Sequence, residues 1–328
     1  MDKHLVSPNP HIHSAVSTAS LMRDVVIALV PAIVVSVLFY GWAELLVLAV
    51  SAVSCVLIEW AIAKFLFKNL DLFCPSAATV TGLLLAMNLP VSTPWWIVLI
   101  GALFAIGVVK MSFGGIGQNV FNPAIAARVF LLVSFPQQMT AWTAPAGFIG
   151  SVDAFSGATL LGQVPVLGAL EADKLVSLQT LFYNIGGSAG EISALALLAG
   201  WVYLLVRRVI KPWITLSIFA TVALVACIFH AVDPASYTGP LFNLLTGGVI
   251  LGACFMATDY VTSPMSNWGG VVFGIGIGFL LMMIRYFGSY PEGVSFAILL
   301  MNMTVPLLNR WFHGKKYGGH RLWRQNPI

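Results

Sequence analysis

From Val25 to Ala43 the chain runs without a charged residue, and eight more long apolar stretches follow it. They are Leu45–Ala63 (interrupted by Glu59), Leu72–Val109, Met111–Val152 (interrupted by Arg128), Ile192–Val206, Trp213–Val232, Pro234–Thr258, Tyr260–Ile284 and Gly293–Asn309. A helix of about 20 apolar residues crosses the hydrocarbon layer of a bilayer. Only 9% of the residues are charged and 59% are hydrophobic, whereas a soluble domain carries about a quarter charged residues. So little charge cannot cover a water-facing globule of 328 residues. This excludes a soluble enzyme, a nucleic-acid binder and a disordered scaffold, and leaves an integral membrane protein in a lipid bilayer.

Leu72–Val109 is too long for one span. Pro75, Leu89-Pro90 and Thr93-Pro94 divide it into a short segment and a full one. That makes ten segments, five on either side of a loop at 135–190. The expected fold is an all-α polytopic membrane protein. Its parts are a tail at 1–20, a first membrane repeat at 21–134, the loop at 135–190, a second repeat at 191–309 and a basic tail at 310–328. The tail at 1–20 holds His4, His11 and His13 and lacks the build of a signal peptide, so the first apolar run is expected to stay as a span. His11-Ile12-His13 could bind a metal, but a solvated tail is the favoured reading. Cys55, Cys74, Cys227 and Cys254 form no CxxC, which supports neither zinc, nor a disulfide framework, nor iron–sulfur ligation.

Basic residues orient the segments, because cytoplasmic loops collect Lys and Arg. With the N-terminus inside, Lys3, Arg23, Lys64, Lys68, Lys110, Arg207, Arg208, Lys211, Arg310, Lys315, Lys316, Arg321 and Arg324 all lie inside, 13 of the 16 basic residues. Lys174 lies outside, and Arg128 and Arg285 fall within spans. Both termini are therefore expected in the cytoplasm, with the 135–190 loop external. Five spans out and five back give two halves of opposite topology. Thr81-Gly82 before Met87 and Pro90 has an echo in Thr246-Gly247 before Met256 and Pro264. Short, proline-ended, glycine-bearing segments of this kind resemble the discontinuous helices at repeat interfaces, though they also occur in any bundle.

Polar groups inside a membrane are costly and ask for a reason. Arg128, after Asn119, Asn122 and Pro123, reads first as an anion or cofactor contact and second as a carbonyl partner. Glu59 and Asp259 read first as groups near the inner interface. Gly114-Gly115-Ile116-Gly117 is no phosphate loop, since no strand precedes it. Gly270, Gly274 and Gly278 line one helix face as a packing stripe. In the external loop, Asp153-Ala154-Phe155-Ser156-Gly157-Ala158-Thr159 has two readings. Ser-Gly-Ala-Thr is a turn into a helix cap, or it presents an exposed threonine hydroxyl as an accessible nucleophile. The residues alone leave both open.

Asp-x-x-Ser-Gly-Ala-Thr is similar to the signature at which a flavin transferase attaches FMN to threonine. The chain also resembles the D subunit of the Rnf ion-translocating oxidoreductase nearly end to end. The likeness is carried by Thr81-Gly82-Leu83-Leu84-Leu85, Gly114-Gly115-Ile116-Gly117-Gln118-Asn119, Phe121-Asn122-Pro123-Ala124, Ser134-Phe135-Pro136 and Gly293-Val294-Ser295-Phe296-Ala297. The B subunit of the sodium-pumping NADH:quinone reductase shares the motif but usually has a longer N-terminal extension. The resemblance implies two inverted five-segment repeats, as in urea transporters. It further implies FMN on Thr159 through a phosphoester, recognised through Asp153, Ser156, Gly157 and Ala158. Non-covalent riboflavin is implied as well, in contact with Asn119 and Asn122 and, as a second-flavin or anion contact, Arg128. The implied function is membrane electron transfer within an Rnf complex that couples ferredoxin and NAD to Na⁺ or H⁺ movement across a bacterial inner membrane. The implied partners are the other Rnf subunits, an external flavoprotein subunit among them, and a flavin transferase. The alternatives are the quinone reductase subunit, a non-redox channel or transporter, and a structural scaffold.

Overall fold

The computed structural model describes residues 17–143, 159–175, 187–288 and 292–312. Among them there are helices and no strand. Five helices are long and apolar enough to cross a membrane: α1 (Thr18–Tyr40), α2 (Trp42–Leu66), α4 (Trp95–Phe113), α8 (Pro212–Val232) and α11 (Asn267–Phe287). Between them lie the shorter apolar helices α3 (Pro75–Met87), α5 (Pro123–Ser134) and α7 (Ala194–Val206). α6 (Leu160–Leu167), α9 (Pro240–Leu245), α10 (Val249–Leu251, continued by a wider turn over Gly252–Met256) and α12 (Val294–Trp311) complete the set used below. The chain is an all-helical polytopic membrane protein.

Local chemistry sets the boundaries. Proline begins α3, α5, α8 and α9, where its missing N–H costs nothing. Ser17, Asn122, Ser193 and Ser266 cap α1, α5, α7 and α11 with side-chain oxygens. Gly41, at φ 67°, lets α1 reverse directly into α2. This reversal defines one end of the molecule, the Gly41 end; the opposite one is the Lys110 end. α3, at 13 residues, is about 20 Å long and falls short of the roughly 30 Å hydrocarbon layer.

Large apolar side chains such as Val53, Leu57, Leu224 and Ile228 stay exposed, as lipid-facing surfaces do. Inside, α2 packs on α3 and α4, α8 packs on α9 and α11, α1 packs on α7, and α5 meets α12. The glycine stripe makes the α8–α11 contact close: a Cβ on Gly274 would stand 2.7 Å from the Ile214 carbonyl oxygen, and one on Gly278 2.8 Å from Thr221 Cβ.

Several sequence expectations move. α1 begins at Thr18, seven residues before Val25, and takes in Arg23 and Asp24. Neither Glu59 nor Arg128 interrupts its helix, because each finds a partner inside the protein. The stretch 72–109 does divide at Asn88–Pro94. The two Thr-Gly pairs differ: the chain breaks at Thr246-Gly247-Gly248, with both glycines at φ 68°, whereas Thr81-Gly82 lie inside the unbroken α3. There a Cβ on Gly82 would stand 2.7 Å from Ala52 Cα on α2, so this glycine serves packing. His4, His11, His13 and the basic tail beyond 312 lie outside the described residues.

Gly274→Val forces α8 and α11 apart and is expected to cost about 1–3 kcal/mol. A thermal-unfolding midpoint measured in detergent should fall clearly for this variant and stay put for Ile275→Val on the exposed face of the same helix.

Candidate functional site

Thr159 stands at the start of α6, where its hydroxyl oxygen accepts the Gly162 N–H at 3.1 Å. It is only 6% exposed. The expectation of a freely exposed hydroxyl is therefore replaced by a cap seated against the bundle. Asp153, Ser156, Gly157 and Ala158 lie outside the described residues. α6 is anchored by Leu161, which packs with Ala172 and Phe242 and closes on Gly247 in the break between α9 and α10.

Beside this anchor is an open cavity of about 600 Å³, lined by Leu161, Gly162, Tyr237, Asn243, Arg285 and Tyr286 among others. The size falls within the 300–1,000 Å³ range of small-molecule sites. The Tyr237 and Tyr286 rings pack edge to face at 4.9 Å, and Phe229 closes the aromatic group behind them. Arg285 is held rigidly: Nη1 donates to the Asn243 carbonyl at 2.6 Å and to its Oδ1 at 3.2 Å, and Nη2 donates to the Thr246 carbonyl at 2.6 Å. The cavity thus offers aromatic rings and a fixed positive charge next to the helix that Thr159 caps.

Arg285 belongs to a buried group of four charges. Arg128 donates to the Asn88 carbonyl and side chain and to Glu292 Oε2, with its guanidinium 6.0 Å from the Trp142 ring. Glu191 accepts the Ser188 hydroxyl at 2.6 Å and lies against Gly187 and Gly248. Both carboxyls sit in connections outside the spanning helices. Burial pushes each above the usual carboxylate range, Glu292 to about 7, while Arg128 and Arg285 draw them back down.

At the Lys110 end, Asn119 and Asn122 line a second cavity with Thr81, Lys110, Asp259 and Tyr260. The structure brings the two asparagines together and leaves Arg128 out of their company. This cavity holds about 90 Å³, below the usual ligand-site range, so a flavin ring entering here has to displace lining side chains such as Met22 and Ile116. Asn122 is already committed as the α5 cap and as a donor to the Met256 carbonyl at 3.2 Å. Lys110 is bound to Glu59 at 2.6 Å, with the Cys74 N–H on the other carboxylate oxygen at 3.0 Å. Lys64 lies instead over the Trp60 ring.

Asn88, Asn243, Glu191, Glu292 and the role of Arg285 escape a reading by local pattern. Asn88 is bound by an arginine 40 positions away, and no periodicity reports such a partner. The available signal is the Asn-Leu-Pro stop itself, a polar residue at a helix end inside an apolar stretch.

Residues 5–318 match the NQR2, RnfD, RnfE family. A relative from Acetobacterium woodii, the D subunit of a Na(+)-translocating ferredoxin:NAD(+) oxidoreductase complex, is 42% identical over 323 residues, 98% of this chain and 97% of its own. The D subunit of the ion-translocating oxidoreductase complex of Stutzerimonas stutzeri is 39% identical over 337 residues, 95% of each chain. Its counterpart from an Escherichia coli O81 strain is 36% identical over 347 residues, 96% of this chain and 98% of its own. The chain belongs to the NQR2, RnfD, RnfE family.

Removing one member of the Arg128–Glu292 pair strands the other in a buried place. Arg128→Met is expected to cost about 3–5 kcal/mol in detergent unfolding, and the double variant Arg128→Met/Glu292→Gln to recover only the share due to the stranded Glu292 carboxylate, since the Asn88 carbonyl that Arg128 also serves stays without its donor.

Proposed function

We propose that this chain is the membrane electron-carrying subunit of an Rnf-type ion-translocating oxidoreductase, with FMN held as a phosphoester on Thr159. The observation that carries the reading is that the Asp153–Thr159 motif leads directly into α6, whose first turn opens on the cavity lined by Arg285, Tyr237 and Tyr286. The relatives' names point the same way, since all three are D subunits of ion-translocating oxidoreductase complexes.

The residues present fit such a group. The free N–H groups and dipole of the α6 N-terminus favour a phosphate on Thr159. Arg285, fixed by three acceptors, presents its charge without having to reorganise. Tyr237 and Tyr286 offer ring faces and edges to a flat aromatic system. Bound flavin supplies the redox chemistry that the side chains lack. The chain's own part is to fix the attachment oxygen, hold positive charge nearby and offer aromatic rings beside it. Riboflavin at Asn119 and Asn122 is the second cofactor of this proposal, admitted only once the Lys110-end cavity widens.

The proposal places the chain in a bacterial inner membrane with both termini cytoplasmic and the Gly41 end outside, on the strength of the Lys and Arg distribution. It takes the membrane part as ten segments in two inverted repeats. The packing of α2 on α3 and α4, matched by that of α8 on α9 and α11, supports this. NAD and ferredoxin are left to partner subunits, electrons pass to an external flavoprotein subunit, a flavin transferase loads Thr159, and the ion moved is Na⁺ or H⁺.

The test is in-gel flavin fluorescence of the denatured chain after co-expression with a flavin transferase. Fluorescence should survive denaturation in the wild type and vanish in Thr159→Ala. A dark wild-type band, with the transferase active on another substrate, overturns the assignment and returns the chain to the transporter reading.

A further inference from the structure

α7 packs on α1, and Met22 and Val25 of α1 close with Leu204 and Ile210 on one side of the Lys110-end cavity. The turn that joins α7 to α8 therefore lies against the first turns of α1. It carries Arg207, Arg208 and Lys211, and α1 brings Arg23 and Asp24. Asp24 is buried and ties the corner together: its two oxygens accept the Tyr203 hydroxyl and Arg207 Nη2, both at 3.3 Å. Four cations against this one carboxylate leave three positive charges in excess. They belong to Arg23, Arg208 and Lys211, which are exposed and form no ion pair with any carboxylate among the described residues. Other acids of this end are engaged elsewhere. Glu59 is taken by Lys110, Asp259 accepts the Thr262 hydroxyl at 3.2 Å, and Asp71 shares its stretch of chain with Lys64 and Lys68.

These cations head surfaces that face lipid. Ile27, Val30 and Val34 follow Arg23 at intervals of four, three and four residues and are exposed on the same face of α1. Val202 and Val206 lead up to the turn on α7, and Trp213 and Leu216 follow Lys211 on α8, all of them exposed. A tryptophan so placed marks the membrane–water interface. Arg23 lies five residues into α1, about 7 Å along its axis, where a charge beside lipid calls for an anion at headgroup level. Arg208 stands at φ 56°, the left-handed conformation that glycine usually takes after a helix end. A side chain that is exposed and has no partner within the described residues is thus held there against the backbone preference.

We propose that this corner binds an anionic phospholipid, its phosphate held by Arg23, Arg208 and Lys211 and its acyl chains lying on the exposed stripes of α1, α7 and α8. Guanidinium forks grip phosphate oxygens in pairs, and the lysine ammonium adds a point charge. A zwitterionic headgroup brings its own cation and leaves the excess charge of the corner uncompensated, so a headgroup of net negative charge is preferred. An acidic protein segment answers the charges but leaves the apolar stripes bare. This site stands apart from the flavin and translocase readings.

The experiment titrates the full chain, delipidated in a neutral detergent, with phosphatidylglycerol or with phosphatidylcholine of the same acyl chains. Bound lipid is read by native mass spectrometry. Phosphatidylglycerol should be retained and phosphatidylcholine should not. Arg208→Gln/Lys211→Gln should weaken retention about 30-fold, the worth of two interfacial cations, while its unfolding midpoint without lipid stays at the wild-type value. Lys64→Gln/Lys68→Gln removes two charges from the same end and should bind as the wild type does, because Lys64 is spent on the Trp60 and Phe65 rings. The proposal is overturned by equal retention of phosphatidylcholine, by displacement of the lipid with inorganic phosphate, by undiminished binding in Arg208→Gln/Lys211→Gln, or by an equal loss in the Lys64 and Lys68 variant. It is overturned as well if Arg208→Gln/Lys211→Gln sheds a neighbouring subunit from the assembled complex while holding lipid as before, which assigns the corner to a protein partner.

Discussion

A bilayer offers backbone carbonyls no water, so a helix that stops at membrane depth must have its last carbonyls met from within the protein. Two of the short helices, α3 and α9, end at buried residues, Asn88 and Thr246, and in both cases an arginine answers. Arg128 donates to the carbonyl and side chain of Asn88 at the end of α3. Arg285 donates to the carbonyl and side chain of Asn243 and to the Thr246 carbonyl at the end of α9. The broken geometry at the Gly41 end depends on these guanidiniums. Their charges in turn demand Glu191 and Glu292, because a buried cation without a counter-charge would be as costly as the open carbonyls it serves. The two arginines sit on different elements, Arg128 on α5 and Arg285 on α11. The same physical problem has been met from different elements.

The spanning part of the fold was legible in the sequence because lipid imposes a one-dimensional rule, and scarcity of charge over about 20 residues reports it directly. The proline punctuation at Leu89-Pro90 and the spacing of Gly270, Gly274 and Gly278 were legible for the same reason, being local. What the sequence concealed were partners. Glu59 and Arg128 looked like interruptions in apolar runs, yet their helices pass straight through them, because Lys110 and Glu292 stand opposite. Glu44, in the gap between the first two apolar stretches, is fully buried. Hydropathy counts residues along the chain and is blind to which way a side chain points when a helix begins one residue after a glycine reversal.

The site was legible in a different sense. Thr159 stood out by motif, and the part of the cap reading that falls on Thr159 is met, since its hydroxyl oxygen receives an N–H of the first turn. The two readings are compatible: a threonine whose oxygen is fixed at a helix N-terminus is already placed where an anionic substituent is favoured. Arg285, Tyr237 and Tyr286 could not have been grouped with it beforehand, because the break at Gly247-Gly248 and the packing of Leu161 bring them together from distant parts of the chain.

The Gly41 end also forms a continuous line of contacts. Tyr40 meets Gly187, Glu191 lies against Gly187 and Gly248, and Gly247 lies against Leu161 and Arg285, one turn from Thr159. In a low-dielectric interior a unit charge is felt over such distances far more strongly than in water. Addition of negative charge beside Arg285 therefore weakens the hold of that guanidinium on Glu191 and favours the protonated carboxyl. Its removal does the reverse. A membrane protein that must join an electron's movement to an ion's needs groups of just this kind: close enough to sense the charge, buried enough to be unscreened, and near enough to balance that one proton more or less changes their state. Glu191 and Glu292 at this end are both raised above the usual carboxylate range by burial, while Glu59 is locked between Lys110 and a backbone N–H at the other end.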